Sequence, residues 1–152
     1  WAHQISLRVS GGAFVAGTPR EQLLYAIGGR RNVRGYRVDD AVGRVRGIAS
    51  AEWVHPLVAE LDDAAMYIAW ISGLDGALFG DLAVLADDLD KVGDKPLFAD
   101  VGYGLRVYLD YFGVRPGVMS IDVAFPLVDL DGRAGFGAPA VYVDFAQSFL
   151  VY

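Results

Sequence analysis

The segment from residue 101 to residue 111 alternates strictly, and no other feature of the sequence constrains the fold as much. Its odd positions carry Val, Tyr or Leu, whereas its even positions carry Gly, Arg, Tyr and Asp. A period of two belongs to a β-strand, because successive side chains point to opposite faces. A run of about 9–11 residues with one wholly apolar face is what a tilted membrane-spanning strand requires. The pattern therefore predicts an antiparallel β-sheet and favours one that lies in a lipid bilayer.

The alternation recurs along the chain and predicts six strands. They cover about residues 5–10, 47–57, 76–85, 101–111, 119–125 and 141–148. The connections alternate between a short turn at Arg115-Pro116-Gly117 and longer polar segments, which is typical of outer-membrane barrels. Residues 62–74 do not alternate, and we expect a short helix at a membrane interface there.

Composition excludes several classes of protein. The 152 residues are enough for one domain. The longest apolar run, residues 64–71, is far shorter than the roughly 20 residues that a membrane-spanning helix needs. Without Cys the chain has no disulfide and no thiolate metal site. Its net charge of −6 argues against a nucleic-acid partner.

The sequence contains no motif that carries catalysis. It has no Gly-x-Ser-x-Gly elbow, no phosphate-binding Walker loop and no His-Glu zinc helix. We therefore expect no enzymatic activity, no cofactor and no metal. The acidic residues of segment 87–94 lack the spacing of a calcium loop, so we interpret them as surface charges. Arg30 and Arg31 are likewise interpreted as solvated charges.

A soluble β-sandwich is the main alternative to a barrel, because its strands also have one apolar and one polar face. Its outward faces would carry Lys and Glu. Here the polar faces carry Gly, Ser, Ala, Tyr and single charges, and Lys occurs only twice. This composition favours the lumen of a membrane barrel.

The segment Gly28-Gly29-Arg30-Arg31-Asn32-Val33-Arg34-Gly35-Tyr36 resembles the Gly-Gly…Val-Arg-Gly-Tyr/Phe motif of the Omp85 superfamily, the BamA-like or bacterial surface-antigen proteins. Further segments resemble that family's strands in the same order, with Ala83 and Ala146 where the family has Gly. The family also usually ends at the Phe that matches Phe149, whereas this chain continues to Tyr152. The matching segments are residues 50–57, 76–83, 102–106, 120–127 and 146–149.

The resemblance implies an all-β fold: about the last six strands of a sixteen-stranded transmembrane β-barrel. Residues 1–152 would then form the C-terminal part of a barrel domain, with a lumen loop at about residues 16–46. Six strands cannot close, since an open edge in hydrocarbon leaves backbone groups unsatisfied. We expect a fragment of a longer chain; a second chain or several copies are the other ways to complete the barrel.

The resemblance also implies a latch that holds the loop inside the lumen. Arg34 would bind Asp81, close to Glu52, because a guanidinium binds a carboxylate through two hydrogen bonds. Gly35 would let the loop turn sharply beside that Arg. Tyr36 would pack on the barrel wall with its hydroxyl in water.

The function that the resemblance implies is assembly and insertion of outer-membrane proteins, or protein translocation, in the bacterial outer membrane. The partners would be outer-membrane lipid, client or passenger polypeptides, and the remaining barrel strands. The last strand would form one side of a seam, with Phe145, Gln147 and Phe149. Two other functions stay open: a barrel that anchors or exports a fused passenger, such as a patatin-like hydrolase, and a soluble β-sandwich binding module.

Overall fold

A computed structural model of the chain describes residues 2–58, 61, 63–65, 69–111 and 115–147. Over these residues the protein is all-β, as the alternation predicted, and it also has two short 3-10 helices, at Glu21–Leu23 and Leu89–Asp94. No helix in the described part is long and apolar enough to cross a membrane. The strands are β1 (Gln4–Ala13), β2 (Tyr25–Ile27), β3 (Ala41–Gly43), β4 (Val45–Val58), β5 (Asp63–Ala65), β6 (Ala69–Ala86), β7 (Leu97–Tyr111), β8 (Arg115–Pro126) and β9 (Ala140–Gln147).

One antiparallel sheet contains seven of these strands, in the order β1-β4-β6-β7-β8-β9, with β5 paired to β6. β5 pairs with β6 just beyond the end of β4, so that β4 and β5 lie on the same side of β6. β2 and β3 form a separate hairpin inside the connection between β1 and β4. Among the described residues β1 and β9 do not pair, so the sheet is open.

The helix predicted at residues 62–74 is wrong wherever the structure describes this segment. Residues 63–65 form β5, and residues 69–74 begin the 18-residue strand β6. A continuous apolar run fits a helix or a strand equally well by periodicity alone. Here pairing with β4, β5 and β7 satisfies the backbone and fixes the strand. Residues 62 and 66–68 lie outside the described residues.

The two faces of the sheet have opposite environments. The long loop, residues 14–44, packs on one face, which we call the inner face; the opposite face is the outer face. On β6, Phe79, Asp81 and Ala83 point inward and are at most 2% exposed. Leu78 and Leu82 alternate with them and are each 44% exposed. The outer face therefore presents large apolar side chains that no other described part of the chain covers.

The hydrophobic core lies between the long loop and the inner face. The loop contributes Ile27, Val33 and Tyr36, and the strands contribute a second group. That group is Ile48, Ala83, Leu85 and Phe98. Among the described residues only the long loop, which includes the small β2-β3 sheet, packs on the inner face and buries its apolar positions.

We expect Phe98→Ala to lower the free energy of unfolding by about 3–5 kcal/mol, because it removes a buried ring from this core. Phe98 is 5% exposed and its ring meets Tyr36 edge-on at 5.6 Å between centroids. Phe136→Ala is the matched control, since Phe136 is 78% exposed. Urea titration of both variants checks this; equal losses would contradict it.

Candidate functional site: an arginine–carboxylate network

A compact turn presents Arg34 to the sheet. The turn begins with Gly28 and Gly29, which have positive φ angles of 96° and 84°. Residues with a side chain rarely adopt such angles. The amide of Gly29 donates to the carbonyl oxygen of Tyr36 at 2.9 Å and closes the turn. A Cβ on Gly28 would stand 1.8 Å from the carbonyl oxygen of Arg37, so only Gly fits. The Gly-Gly pair therefore fixes the direction in which Arg34 leaves the loop.

Arg34 is buried and binds two carboxylates on neighbouring strands. Its Nε lies 2.8 Å and its Nη2 3.2 Å from the two oxygens of Asp81 on β6. Its Nη1 donates to Oε2 of Glu52 on β4 at 2.7 Å. The guanidinium also lies over the ring of Phe79, with Cζ 3.4 Å from the centroid. The structure thus brings together the arginine and both acidic residues that the sequence singled out.

The electrostatics of this contact favour the charged arginine. Burial by itself would lower the pKa of Arg34, since it disfavours the charged form. The hydrogen bonds with Asp81 and Glu52 outweigh burial, and the pKa of Arg34 is raised above its ordinary value. The guanidinium is therefore charged at neutral pH, and the contact does not depend on its titration.

Gly35 is required for a different reason from the one that the sequence suggested. Its φ is not in the left-handed region, so the sharp turn does not need Gly at this position. A Cβ on Gly35 would instead stand 2.6 Å from Cβ of Asp100 and 2.9 Å from the backbone nitrogen of Pro126. The Gly35 amide donates to Oδ2 of Asp100 on β7. Close approach to the sheet is what excludes a side chain here.

Tyr36 packs on the sheet as expected, but protein atoms surround its hydroxyl. Tyr36 is 4% exposed. Its hydroxyl oxygen lies 2.5 Å from the carbonyl oxygen of Val128 and accepts from the amide of Ala99 at 3.3 Å. Burial raises the pKa of Tyr36, so the phenol stays protonated and able to donate. The prediction that this hydroxyl lies in water is wrong.

The network extends beyond the predicted residues through Arg106. Nη2 of Arg106 donates to Oε1 of Glu52 at 3.1 Å, and Nη1 donates to Oδ1 of Asp122 at 2.5 Å. Glu52 thus lies between Arg34 and Arg106. Both Arg106 and Asp122 occupy positions that alternation had already placed on the polar faces of their strands. That parity was the one signal in the sequence that could have found them.

Arg30 is not the solvated charge that we expected. Its guanidinium binds the carboxylate of Asp144 on β9 and the hydroxyl of Ser120 on β8, and its Nε lies 3.6 Å from Asp122. The long loop therefore reaches the last strand of the sheet as well. Arg31 is exposed and forms no ion pair among the residues that the structure describes.

Of the predicted seam residues, the structure describes Phe145 and the backbone of Gln147. Phe145 is 64% exposed on the outer face of β9. Gln147 is the last residue of β9 and is paired with Gly117 in the register. Phe149 lies outside the described residues, so the structure places only part of this group.

The site holds the long loop in place through ion pairs. A cavity of about 380 Å³ beside the network is lined by charged and hydroxyl side chains, including Arg8, Arg31 and Ser50. Segment 87–94 forms ordinary surface ion pairs, such as Lys91 with Asp88 at 3.1 Å. Over the described residues no group of three His, Asp or Glu side chains is placed to hold a metal ion.

No protein-family model, no curated protein and no solved structure matches this chain.

We expect Arg34→Ala to release the long loop. The change leaves Asp81 buried without its partner, which costs about 3–5 kcal/mol for a desolvated charge. Cleavage by proteinase K within residues 14–44, followed by mass spectrometry, should rise by at least tenfold. Arg34→Lys should be cleaved almost as fast as Arg34→Ala, because an ammonium cannot bind both carboxylates in this geometry. Arg31→Ala is the control and should leave cleavage unchanged; unchanged cleavage in Arg34→Ala would contradict the latch.

We expect Gly35→Ala to push the loop off the sheet, because the new Cβ meets backbone atoms that cannot move aside. Gly93→Ala is the matched control, since a Cβ there has no atom within 4 Å. Proteinase K should cleave the long loop faster in the first variant and at the original rate in the second. Equal rates in both variants would refute the close-approach argument.

Proposed function

We propose that this chain is the C-terminal part of an Omp85-type outer-membrane β-barrel that assembles, inserts or translocates other proteins. The observation that carries the proposal is the long loop held against the inner face by Arg34, which binds Asp81 and Glu52 on adjacent strands. This is the contact that the family resemblance implies. It joins a motif in the loop to motifs in two separate strands.

The distribution of polarity across the sheet supports a membrane setting. The inner face carries buried charges that are paired with one another, as expected in a confined and partly hydrated lumen. The outer face carries apolar side chains that are strongly exposed, including Leu7 at 77% and Val143 at 60%. In water, a face of this extent would be an aggregation liability. In a bilayer it would be the lipid-facing surface.

The same distribution argues against the soluble β-sandwich. A sandwich buries apolar side chains between two sheets and exposes polar ones. Here the apolar faces of the strands are the exposed ones, and the described part of the chain supplies no second sheet to cover them.

The proposed mechanism needs no nucleotide and no metal. A strand edge presents unpaired amide and carbonyl groups, which can template an incoming strand through backbone hydrogen bonds. In this proposal β9 forms one side of the seam, with Val141, Val143 and Phe145 toward lipid. The network keeps the long loop fixed in the lumen, so that the inner surface behind the seam keeps its shape while a client strand is added.

The remaining barrel strands would come from the same longer chain, and its other domains would decide between assembly and export. Periplasmic polypeptide-transport repeats alone would favour assembly of outer-membrane proteins. A fused hydrolase would favour export of a passenger. No described residue favours the export function over assembly.

Fractionation of the native cells tests the localisation. We expect the polypeptide in the outer-membrane fraction, resistant to carbonate extraction and released by detergent. Mass spectrometry of the intact native polypeptide then tells a longer chain from one of 16.4 kDa. Recovery in the soluble fraction would reject the proposal.

We expect Leu78→Arg to impair membrane insertion. Leu78 lies in the middle of β6 on the outer face, and an Arg facing lipid near the bilayer midplane costs about 2–4 kcal/mol. Folding into lipid vesicles, followed by urea titration, measures this loss. Leu130→Arg is the control, because Leu130 is similarly exposed, at 51%, but lies in the connection between β8 and β9. In a soluble protein both changes would be tolerated, and that result would count against the bilayer.

A further inference from the structure

We propose that Asp100 is a second anchor of the long loop, which it holds through the backbone amide of Gly35 as a hydrogen-bond acceptor and not as a charge. The inference deepens the proposed function, since it concerns the same loop. Asp81 and Asp100 then hold the loop in different ways. Asp81 binds the guanidinium of Arg34, and Asp100 binds the backbone of the next residue, Gly35.

The geometry places the two anchors side by side. Asp81 on β6 and Asp100 on β7 are direct partners in the register of the two strands. Asp81 also accepts from the backbone amide of Arg34 at 3.3 Å, and Asp100 accepts from the next amide, that of Gly35, at 2.5 Å. Two consecutive amides of the loop thus point at two adjacent strands. A single contact could let the loop pivot, whereas two contacts on neighbouring strands fix its direction.

Burial makes the Gly35 amide depend on Asp100. Asp100 is 3% exposed, and Gly35 lies so close to β7 and β8 that no side chain fits between them. An amide enclosed in this way has no ready access to water if its acceptor is removed. A buried donor without an acceptor costs about 1–3 kcal/mol. Removal of the Asp100 oxygen should therefore destabilise the docked loop by a measurable amount.

The surroundings of Asp100 compensate a negative charge poorly, which favours its role as a hydrogen-bond acceptor. Asp81 forms an ion pair with Arg34, whereas Asp100 takes part in no ion pair among the described residues. Its Oδ1 is buried without a hydrogen-bond partner in that part of the chain. A buried charge with so few partners is costly, so a neutral side chain with the same acceptor should serve at least as well.

The test uses hydrogen–deuterium exchange of the loop peptide that contains residues 33–36, in the detergent-solubilised chain. Asp100→Asn keeps an acceptor oxygen and removes the charge, and we expect its exchange rate to stay within about twofold of the original. Asp100→Leu keeps a branched side chain and removes the oxygen, and we expect exchange roughly tenfold faster. Asp81→Asn should also accelerate exchange roughly tenfold, because Arg34 needs the full charge.

The outcomes separate three roles of Asp100. Fast exchange in Asp100→Asn would show that the charge is needed and would overturn the proposal. Slow exchange in Asp100→Leu would show that the residue only fills space and would overturn it as well. If the Leu variant does not fold, Asp100→Ala gives the same contrast without added bulk. Asp110→Asn, toward the other end of β7, is the control and should leave exchange unchanged.

The outcome of this test does not depend on whether the proposed function is correct. Protection of the loop is read from the purified chain and does not require a membrane or a client protein. If fractionation rejects the outer membrane while Asp100→Asn stays protected and Asp100→Leu does not, the anchor stands and the barrel proposal falls. The reverse pattern leaves the barrel proposal intact and removes only the second anchor.

Discussion

The contact between Arg34 and Asp81 is the interaction on which the rest of the structure depends. Asp81 is fully buried, and a buried carboxylate is tolerated only when a cation and hydrogen bonds compensate it. Arg34 supplies both from the long loop. Once the loop is held there, Val33 and Tyr36 lie against the inner face and complete the hydrophobic core. The charge contact thus determines where the apolar contacts form.

The network around this contact explains why the inner face can be so polar. Glu52 lies between Arg34 and Arg106, and Asp122 lies between Arg106 and Arg30. Each of these two carboxylates is shared by two guanidinium groups, so that two cations compensate its burial. The chain of contacts crosses the sheet from β4 to β9 and involves the loop at two points. The loop is therefore held to the inner face by alternating charges as well as by the hydrophobic core.

Much of the fold could be predicted from the sequence, because alternation reports directly which side chains share a face. The faces to which the side chains of β7 and β8 point, for example, follow from two clean patterns of period two. The prediction of a helix at residues 62–74 was wrong because an uninterrupted apolar run has no period. Only pairing with neighbouring strands decides its conformation. In the site, motif resemblance brought Arg34, Asp81 and Glu52 together. Arg30, Asp100 and the environment of the Tyr36 hydroxyl depend on distances between elements, which no local pattern contains.

The long loop is made early in the chain, but its partners come late. Arg34 binds a residue 47 positions further on, the Tyr36 hydroxyl reaches one 92 positions away, and Arg30 reaches one 114 positions away. Contacts of such sequence separation form slowly, since the intervening chain must first be ordered. The full set of loop contacts can therefore form only after β6, β7 and β9 have taken their places. Its docking marks the completion of the sheet, and an undocked loop would distinguish an unfinished molecule from a finished one.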